Sequence, residues 1–289
     1  MIKKFFFIFI FYLFWVSSSN GQFFSFSKEI KFVKYLQDNE QFDLANAVLN
    51  NIDSLYLNTS QKDSLFFEKG WFAYVQKRID TAIYYLQKVS ISDSRFLKSS
   101  FFAQYCNAYL KQYEESEIGF KKIPVQDSLE IELKSFELAG LALLQKNEHI
   151  YKDYQKYFRY KHYMLVNEEL AFAKYNNERM ALKFRSPVVA GILSAVIPGL
   201  GKVYAGKKKQ GLGAFFPVLS SALLTWEAYN RGGLKDARFW IFGTIFTTFY
   251  IGNIWGSISA VSIKNQEINR SYENKILFNM HIPLRNFFN

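Results

Sequence analysis

The segment Gly201-x-x-x-x-Gly206-Lys207 comes nearest to a phosphate-binding loop in this sequence. Such a loop wraps backbone N–H groups around phosphate and needs a hydroxyl after the lysine to hold magnesium. Lys208 stands where that Ser or Thr must be, and apolar segments flank the site where a core strand should lead in. Gly199 and Gly201 miss the dinucleotide-binding spacing as well. His149, His162 and His281 lie on different segments with no metal-ligand pairing. No Ser/His/Asp order and no paired carboxylate site can be defended. The single Cys106 excludes an intramolecular disulfide framework and a multi-cysteine zinc site, and reads as a small buried apolar side chain. The expectation is a non-enzymatic chain with no catalytic residue, no metal and no cofactor.

Two constellations do not suggest catalysis. Pro198, Gly199, Gly201, Tyr204 and Gly206 form a Pro-Gly-x-Gly-x-x-Tyr-x-Gly pattern. Its glycines allow a sharp backbone reversal at a bilayer surface, where Tyr204 can anchor among headgroups. Further on, Gly252, Gly256 and Ala260 lie four apart on one helical face, beside Asn253. Small residues permit close approach of another helix, and a polar amide at membrane depth should find its partner there. The stripe serves packing within its own domain or, alternatively, a homo-oligomer through the last helix.

These residues need elements to position them, and three apolar segments supply them, at about 187–205, 211–229 and 239–263. Only the third is unambiguous by length; the first crosses only if Lys202 snorkels, and is otherwise re-entrant. Three crossings are expected, with two crossings plus a re-entrant piece as the alternative. The Pro-Gly segment, together with Tyr250-Ile-Gly-Asn253-Ile-Trp-Gly256-Ser, resembles a family of small bacterial multi-pass membrane domains of unknown function. The resemblance covers about 80 residues and implies a Pro-Gly hairpin and an Asn-Gly-bearing final helix, without an activity.

The chain of 289 residues carries 36 Lys+Arg against 25 Asp+Glu, a formal charge of +11. Its distribution decides its meaning. Residues 22–180 hold 21 basic and 21 acidic side chains, whereas 181–289 hold 13 and 4, and Lys3 and Lys4 complete the total. The excess surrounds the apolar segments, which argues for orientation in a bilayer and against a nucleic-acid partner. With three crossings, the lysines at 202 and 207–209 and the tail 264–289 would be cytoplasmic. The N-terminus itself has two lysines, twelve unbroken apolar residues at 5–16 and small polar residues at 17–21. That is the pattern of an export signal ending before Gln22, so the region that follows is expected outside the cytoplasm.

Residues 22–165 show self-similarity at 34 residues: Phe67, Ala82, Leu86 and Val89 recur as Phe101, Ser116, Phe120 and Ile123. Trp71 recurs as Tyr105, a looser copy precedes at Phe42, Ala45, Leu49 and Ile52, and another follows at Phe136, Gly140 and Leu144. Each unit reads as two amphipathic helices, the small residue of the second allowing close approach to the first. Over about 27–158 these residues resemble the tetratricopeptide repeat, although Gln104 stands where Gly70 would recur and Ser116 replaces Ala82. The resemblance implies an α-solenoid whose concave face binds a protein partner, with Lys69, Phe72, Tyr74, Tyr105 and Tyr109 as the candidate contact residues. Residues 147–176 read as a long capping helix, and 166–186 as the connection to the membrane.

The sequence thus describes an all-α chain, a tetratricopeptide-like solenoid plus a C-terminal helical transmembrane domain, in a bacterial inner membrane with its repeats in the periplasm. The expected role is a membrane-anchored adaptor or scaffold for a protein partner or envelope assembly. The alternative is an oligomeric channel or transport-associated component regulated by the repeats.

Overall fold

The computed structural model describes residues 25–182 and 184–288. The expected export signal at 1–21 lies outside the described residues. Among the described residues every regular element is a helix and none is a strand, as expected of an all-α chain. The chain divides into two compact units after Ile123, inside the stretch 22–165 that reads as one array.

The first unit holds α1 (Phe26–Asp38), α2 (Phe42–Asn51), α3 (Thr59–Val75), α4 (Ile79–Leu86), α5 (Phe96–Tyr109) and α6 (Tyr113–Lys122). They pack in consecutive pairs as three hairpins. Each hairpin is closed by the same turn, which puts a non-glycine residue in the left-handed region: Glu40 at φ 58°, Lys77 at 60° and Lys111 at 66°. At the second of these, Lys77 N–H donates to Tyr74 C=O at 2.9 Å and Arg78 N–H to Ala73 C=O at 2.9 Å. That is the paired bonding of a Schellman cap, which satisfies the last carbonyls of the first helix and reverses the chain. A capping box between Asn58 and Gln61 fixes the other end of α3.

The small residues of the second helices, Ala45, Ala82 and Ser116, are all fully buried, so the helix pairs approach closely there. Where the repeat departs from its own pattern, a compensating change is visible. A Cβ on Gly119 of α6 would lie 2.1 Å from the Gln104 side chain of α5, so the missing side chain on α6 makes room for the extra one on α5. A long-range clasp adds to the hairpins: buried Asp63 of α3 accepts from both the N–H and the hydroxyl of Ser90, at 2.9 and 2.7 Å. Ile30, Val33, Leu36, Leu49 and Leu65 form one core cluster of this unit. Each such side chain contributes roughly 1.5–3 kcal/mol by leaving water.

The second unit holds α7 (Ser128–Leu144), α8 (Glu148–Gln155), α9 (Val166–Ala181), α10 (Pro187–Val196), α11 (Leu200–Tyr204), α12 (Lys208–Gly232) and α13 (Ala237–Phe287). The α7–α8 turn repeats the left-handed cap at Lys146, φ 64°. The single long helix expected at 147–176 is instead two, α8 and α9. The chain breaks between them because buried carboxylates capture its backbone: Arg159 N–H donates to Glu132 and Tyr160 N–H to Glu169, both at 2.9 Å.

The stretch 264–289, expected to be a tail across the membrane from the repeats, is helical as far as Phe287. It is the second half of α13, a continuous helix of 51 residues. This half packs on α7 and α9: Met280 is fully buried over Gly140, where a Cβ would lie 2.7 Å from its side chain. Asn279 donates to the Tyr175 hydroxyl at 3.1 Å, and the Tyr272 hydroxyl donates to Glu178 at 3.2 Å. Among the described residues no helix is long and apolar enough to cross a membrane, so the three spans expected at 187–205, 211–229 and 239–263 are not found as such.

Candidate functional site

The Pro-Gly segment is built by α10, α11 and the start of α12, all held against α13. Ser186 caps α10 and Pro187 occupies its first position, where a missing N–H costs nothing. The helix ends at extended Ile197, Pro198 prevents its continuation, and Gly199 turns the chain at φ +84°. A Cβ on Gly199 would lie 2.0 Å from the carbonyl oxygen of Gly211 in α12. One on Gly201 would lie 2.0 Å from the carbonyl oxygen of Ala190 in α10. The two glycines are therefore where three backbones touch, and only glycine fits such contacts.

That close approach traps polar groups, and α13 satisfies them. Asn253 is 4% exposed; its Oδ1 accepts from Gly199 N–H at 2.9 Å and its Nδ2 donates to Ser194 C=O at 3.1 Å. The Ser194 hydroxyl accepts from Gly201 N–H at 2.9 Å and donates to the Ser257 hydroxyl at 2.7 Å. Ser257 in turn donates to Asn253 C=O at 2.9 Å, and the Tyr250 hydroxyl to Ala195 C=O at 2.8 Å. The amide expected to bond to a partner helix thus finds its partner 54 residues earlier in its own chain. Both serine hydroxyls are committed to this lattice, which locks a hairpin against a helix.

The remaining residues of the two constellations are distributed differently from expectation. Tyr204 is half-buried: its ring packs on the Ala190, Ala205, Ala260 and Val261 cluster, and its hydroxyl accepts from Ser186 N–H at 3.3 Å. It therefore braces the hairpin from within the domain. Arg185 lies over the Tyr204 ring and donates to its carbonyl, and Gly206 turns at φ +85° beside that guanidinium. The stripe of small residues does not act as one face. Ala260 is buried against its own domain, a Cβ on Gly256 would lie 3.3 Å from the Lys202 stem, and Gly252 is open, with nothing within 4 Å of a Cβ.

Around this polar interior the outward faces are apolar. Val196 is 74% exposed on α10, Trp226 64% on α12, and Trp255 67% on α13. Val188, Ile192, Phe216, Leu223, Ile241 and Phe249 are exposed on the same three helices.

In the first unit the five candidate contact residues separate. Phe72 is 2% exposed and packs in the core beside Phe42, and Tyr105 is buried too. Tyr109 is exposed, Tyr74 is half-buried in an aromatic cluster with Trp71 and Phe102, and Lys69 lies 5.5 Å over the Tyr85 ring. Burial and the nearby Lys88 ammonium lower the pKa of Lys69. Lys88 lies 3.8 Å over Tyr84 and Lys98 4.2 Å over Trp71. Of these, only Tyr84 and Lys88, one helical turn apart, were legible by spacing. Cys106 is fully buried, and burial pushes its thiol up to about 12.

The second unit does contain a carboxylate pair, between residues 37 positions apart in sequence. Glu132 and Glu169 are 2% and 0% exposed; burial, with the Glu132 carboxyl beside it, pushes Glu169 up to about 7. A carboxyl raised in the fold is protonated there while the unfolded chain has released its proton. Its stabilising contribution is therefore complete below the ordinary value of 4.5 and is lost as pH rises through about 7. Glu169→Gln keeps an acceptor for Tyr160 N–H, and it should abolish about 1–3 kcal/mol of stability loss between pH 5 and 8, read from urea midpoints. Glu137 is fully buried and neither of its oxygens is bonded; burial raises its pKa well above normal. Glu137→Met should raise stability by about 1–3 kcal/mol at neutral pH in the same assay. Among the described residues no group of three His, Cys, Asp or Glu could hold a metal.

No protein-family model, no curated protein and no solved structure matches the chain. The two family resemblances therefore rest on the residues quoted above.

Proposed function

We propose that this protein is a non-enzymatic membrane-anchored adaptor: its α10–α13 hairpins sit in a bacterial inner membrane, and a tetratricopeptide-like array recruits a protein partner. The observation that carries the anchor is the inverted polarity of α10, α12 and α13, with hydroxyls and amide turned inward and large apolar side chains outward. Surfaces of this kind cost free energy in water and none in lipid. The modest apolarity of α13 comes in part from Thr244, Thr247 and Thr248, and each hydroxyl donates to the carbonyl four residues earlier at 2.8 Å. Bonded in this way, such groups are tolerated in a bilayer. The uncharged stretch 239–263 rises about 37 Å as a helix, more than the roughly 30 Å core of a bilayer.

The membrane topology that fits these contacts has two crossings, α12 and the first half of α13, with α10–α11 as a re-entrant hairpin. The second half of α13 bonds to α7 and α9, so it belongs on their side of the membrane. Lys207, Lys208 and Lys209 follow Arg185 and Tyr204 to that same side, so they no longer argue for a cytoplasmic loop. Orientation then rests on the export signal, which gives the periplasm.

For the adaptor, the support is that Lys69, Tyr74, Tyr84, Lys88 and Tyr109, on the hairpins of the first unit, are each exposed or half-buried. A photo-crosslinker replacing Tyr109 in cells should yield one discrete protein adduct that Lys69→Glu removes. Failure to form any adduct from positions 74, 84 and 109 would contradict the adaptor reading.

A further inference from the structure

We propose that the mouth of the Pro-Gly hairpin is a binding site for one anionic phospholipid; the inference rests on the membrane reading above. Between Glu178 and Glu227 the chain has no acidic residue, yet it carries Arg179, Lys183, Arg185, Lys202 and the run at 207–209. In the far loop two of the three basic groups are paired, Arg231 with Glu227 and Arg238 with Asp236 at 2.7 Å, and Lys235 is the third. The hairpin's lysines at 202 and 207–209 have no such partner among the described ion pairs.

Beside them lies an apolar groove of about 480 Å³, bounded by Ile197, Leu200, Val203, Leu212 and Phe215, with Lys208 as its one charged residue. The groove reaches Pro198 and Gly199, whose backbone meets Asn253 of α13, and the exposed Lys208 is the lysine that lines it. The spacing suits one lipid molecule. Its phosphate meets the ammonium groups at 207–209, and one acyl chain descends past Val203 and Leu212 into the groove. A neutral lipid would fill the same groove without neutralising the lysines, each of which gains from an anionic surface. An acidic protein segment would match the charge but brings no acyl chain to fill the groove.

The test uses the full-length protein reconstituted in bilayer discs of phosphatidylcholine with one quarter phosphatidylglycerol, followed by mass spectrometry of the lipid retained after gentle detergent extraction. The expected result is one retained phosphatidylglycerol, enriched about tenfold over phosphatidylcholine. That enrichment should disappear in Lys207→Gln/Lys208→Gln/Lys209→Gln and fall at least threefold in Leu212→Trp, which fills the groove without touching the charge. Arg231→Gln/Lys235→Gln, which removes two charges from the far loop, should leave it unchanged. Equal retention of both lipids by the parent protein would overturn the proposal, as would loss in the lysine variant with none in Leu212→Trp, the mark of diffuse attraction. Failure of the parent to enter discs of any composition would instead overturn the membrane reading itself.

Discussion

Gly201→Ala is expected to lower the stability of the second unit by about 3 kcal/mol or more and to expose 197–206 to protease. The reason is local: the new methyl would lie 2.0 Å from Ala190 C=O, 2.6 Å from the Ser194 hydroxyl and 2.7 Å from the Ser257 Cβ. None of these is the far end of a flexible side chain, so α10 and α11 must separate, and overpacking of a rigid contact costs typically about 1–3 kcal/mol and occasionally more. Gly199→Ala should do the same with an added cost from its left-handed backbone. Gly252→Ala is the control, because nothing lies within 4 Å of its Cβ. Thermal unfolding of the full chain in detergent, with Gly201→Ala melting like Gly252→Ala, would refute the hairpin packing.

Asn253→Leu should be comparably damaging, by about 3–5 kcal/mol, although it adds apolar surface to a helix proposed to be in lipid. It leaves Gly199 N–H and Ser194 C=O buried without partners, and each orphaned group costs about 1–3 kcal/mol. Asn253→Asp should fall between parent and Leu, keeping the acceptor for Gly199 N–H while losing the donor and placing a carboxyl in a dry site. A Leu variant at least as stable as the parent would mean that the amide is not a structural clasp.

The features legible in the sequence and those hidden from it separate by range. The two amphipathic helices of each repeat unit were readable because apolar residues recur at helical spacing within each segment, and the structure has α3 to α6 in the units of Phe67 and Phe101. That Asn253 must find a bonding partner also followed from its residue type alone. Its actual partner did not, because nothing local distinguishes Gly199 N–H from any other donor in apolar surroundings. The break between α8 and α9 was hidden for the same reason. Residues 156–165 read as helical until Glu132 and Glu169, distant in sequence, take up the N–H groups of Arg159 and Tyr160.

That 264–287 is helical and packs on α7 and α9 was hidden because charge was counted along the chain. Nothing local on the second half of α13 marks Met280 for Gly140 or Asn279 for Tyr175. Among the candidate contact residues, helical spacing could group Lys69, Phe72, Tyr74, Tyr105 and Tyr109 on first helices of the repeats. It could not tell the buried Phe72 and Tyr105 from the exposed Tyr109, since that depends on how neighbouring hairpins stack.

The central claim is that the chain enters the membrane at α10, turns back, and crosses twice, so that the end of α13 returns to the side of α7 and α8. Single cysteines at 152, 209, 235 and 285, in a Cys106→Ala background, can be labelled with a membrane-impermeant maleimide in intact and lysed cells. The account predicts that 152, 209 and 285 react alike and that 235 reacts only from the opposite side. Positions 209 and 285 reacting together on the side opposite 152 would restore three crossings, and all four reacting from one side would show that no segment crosses; either result contradicts the account.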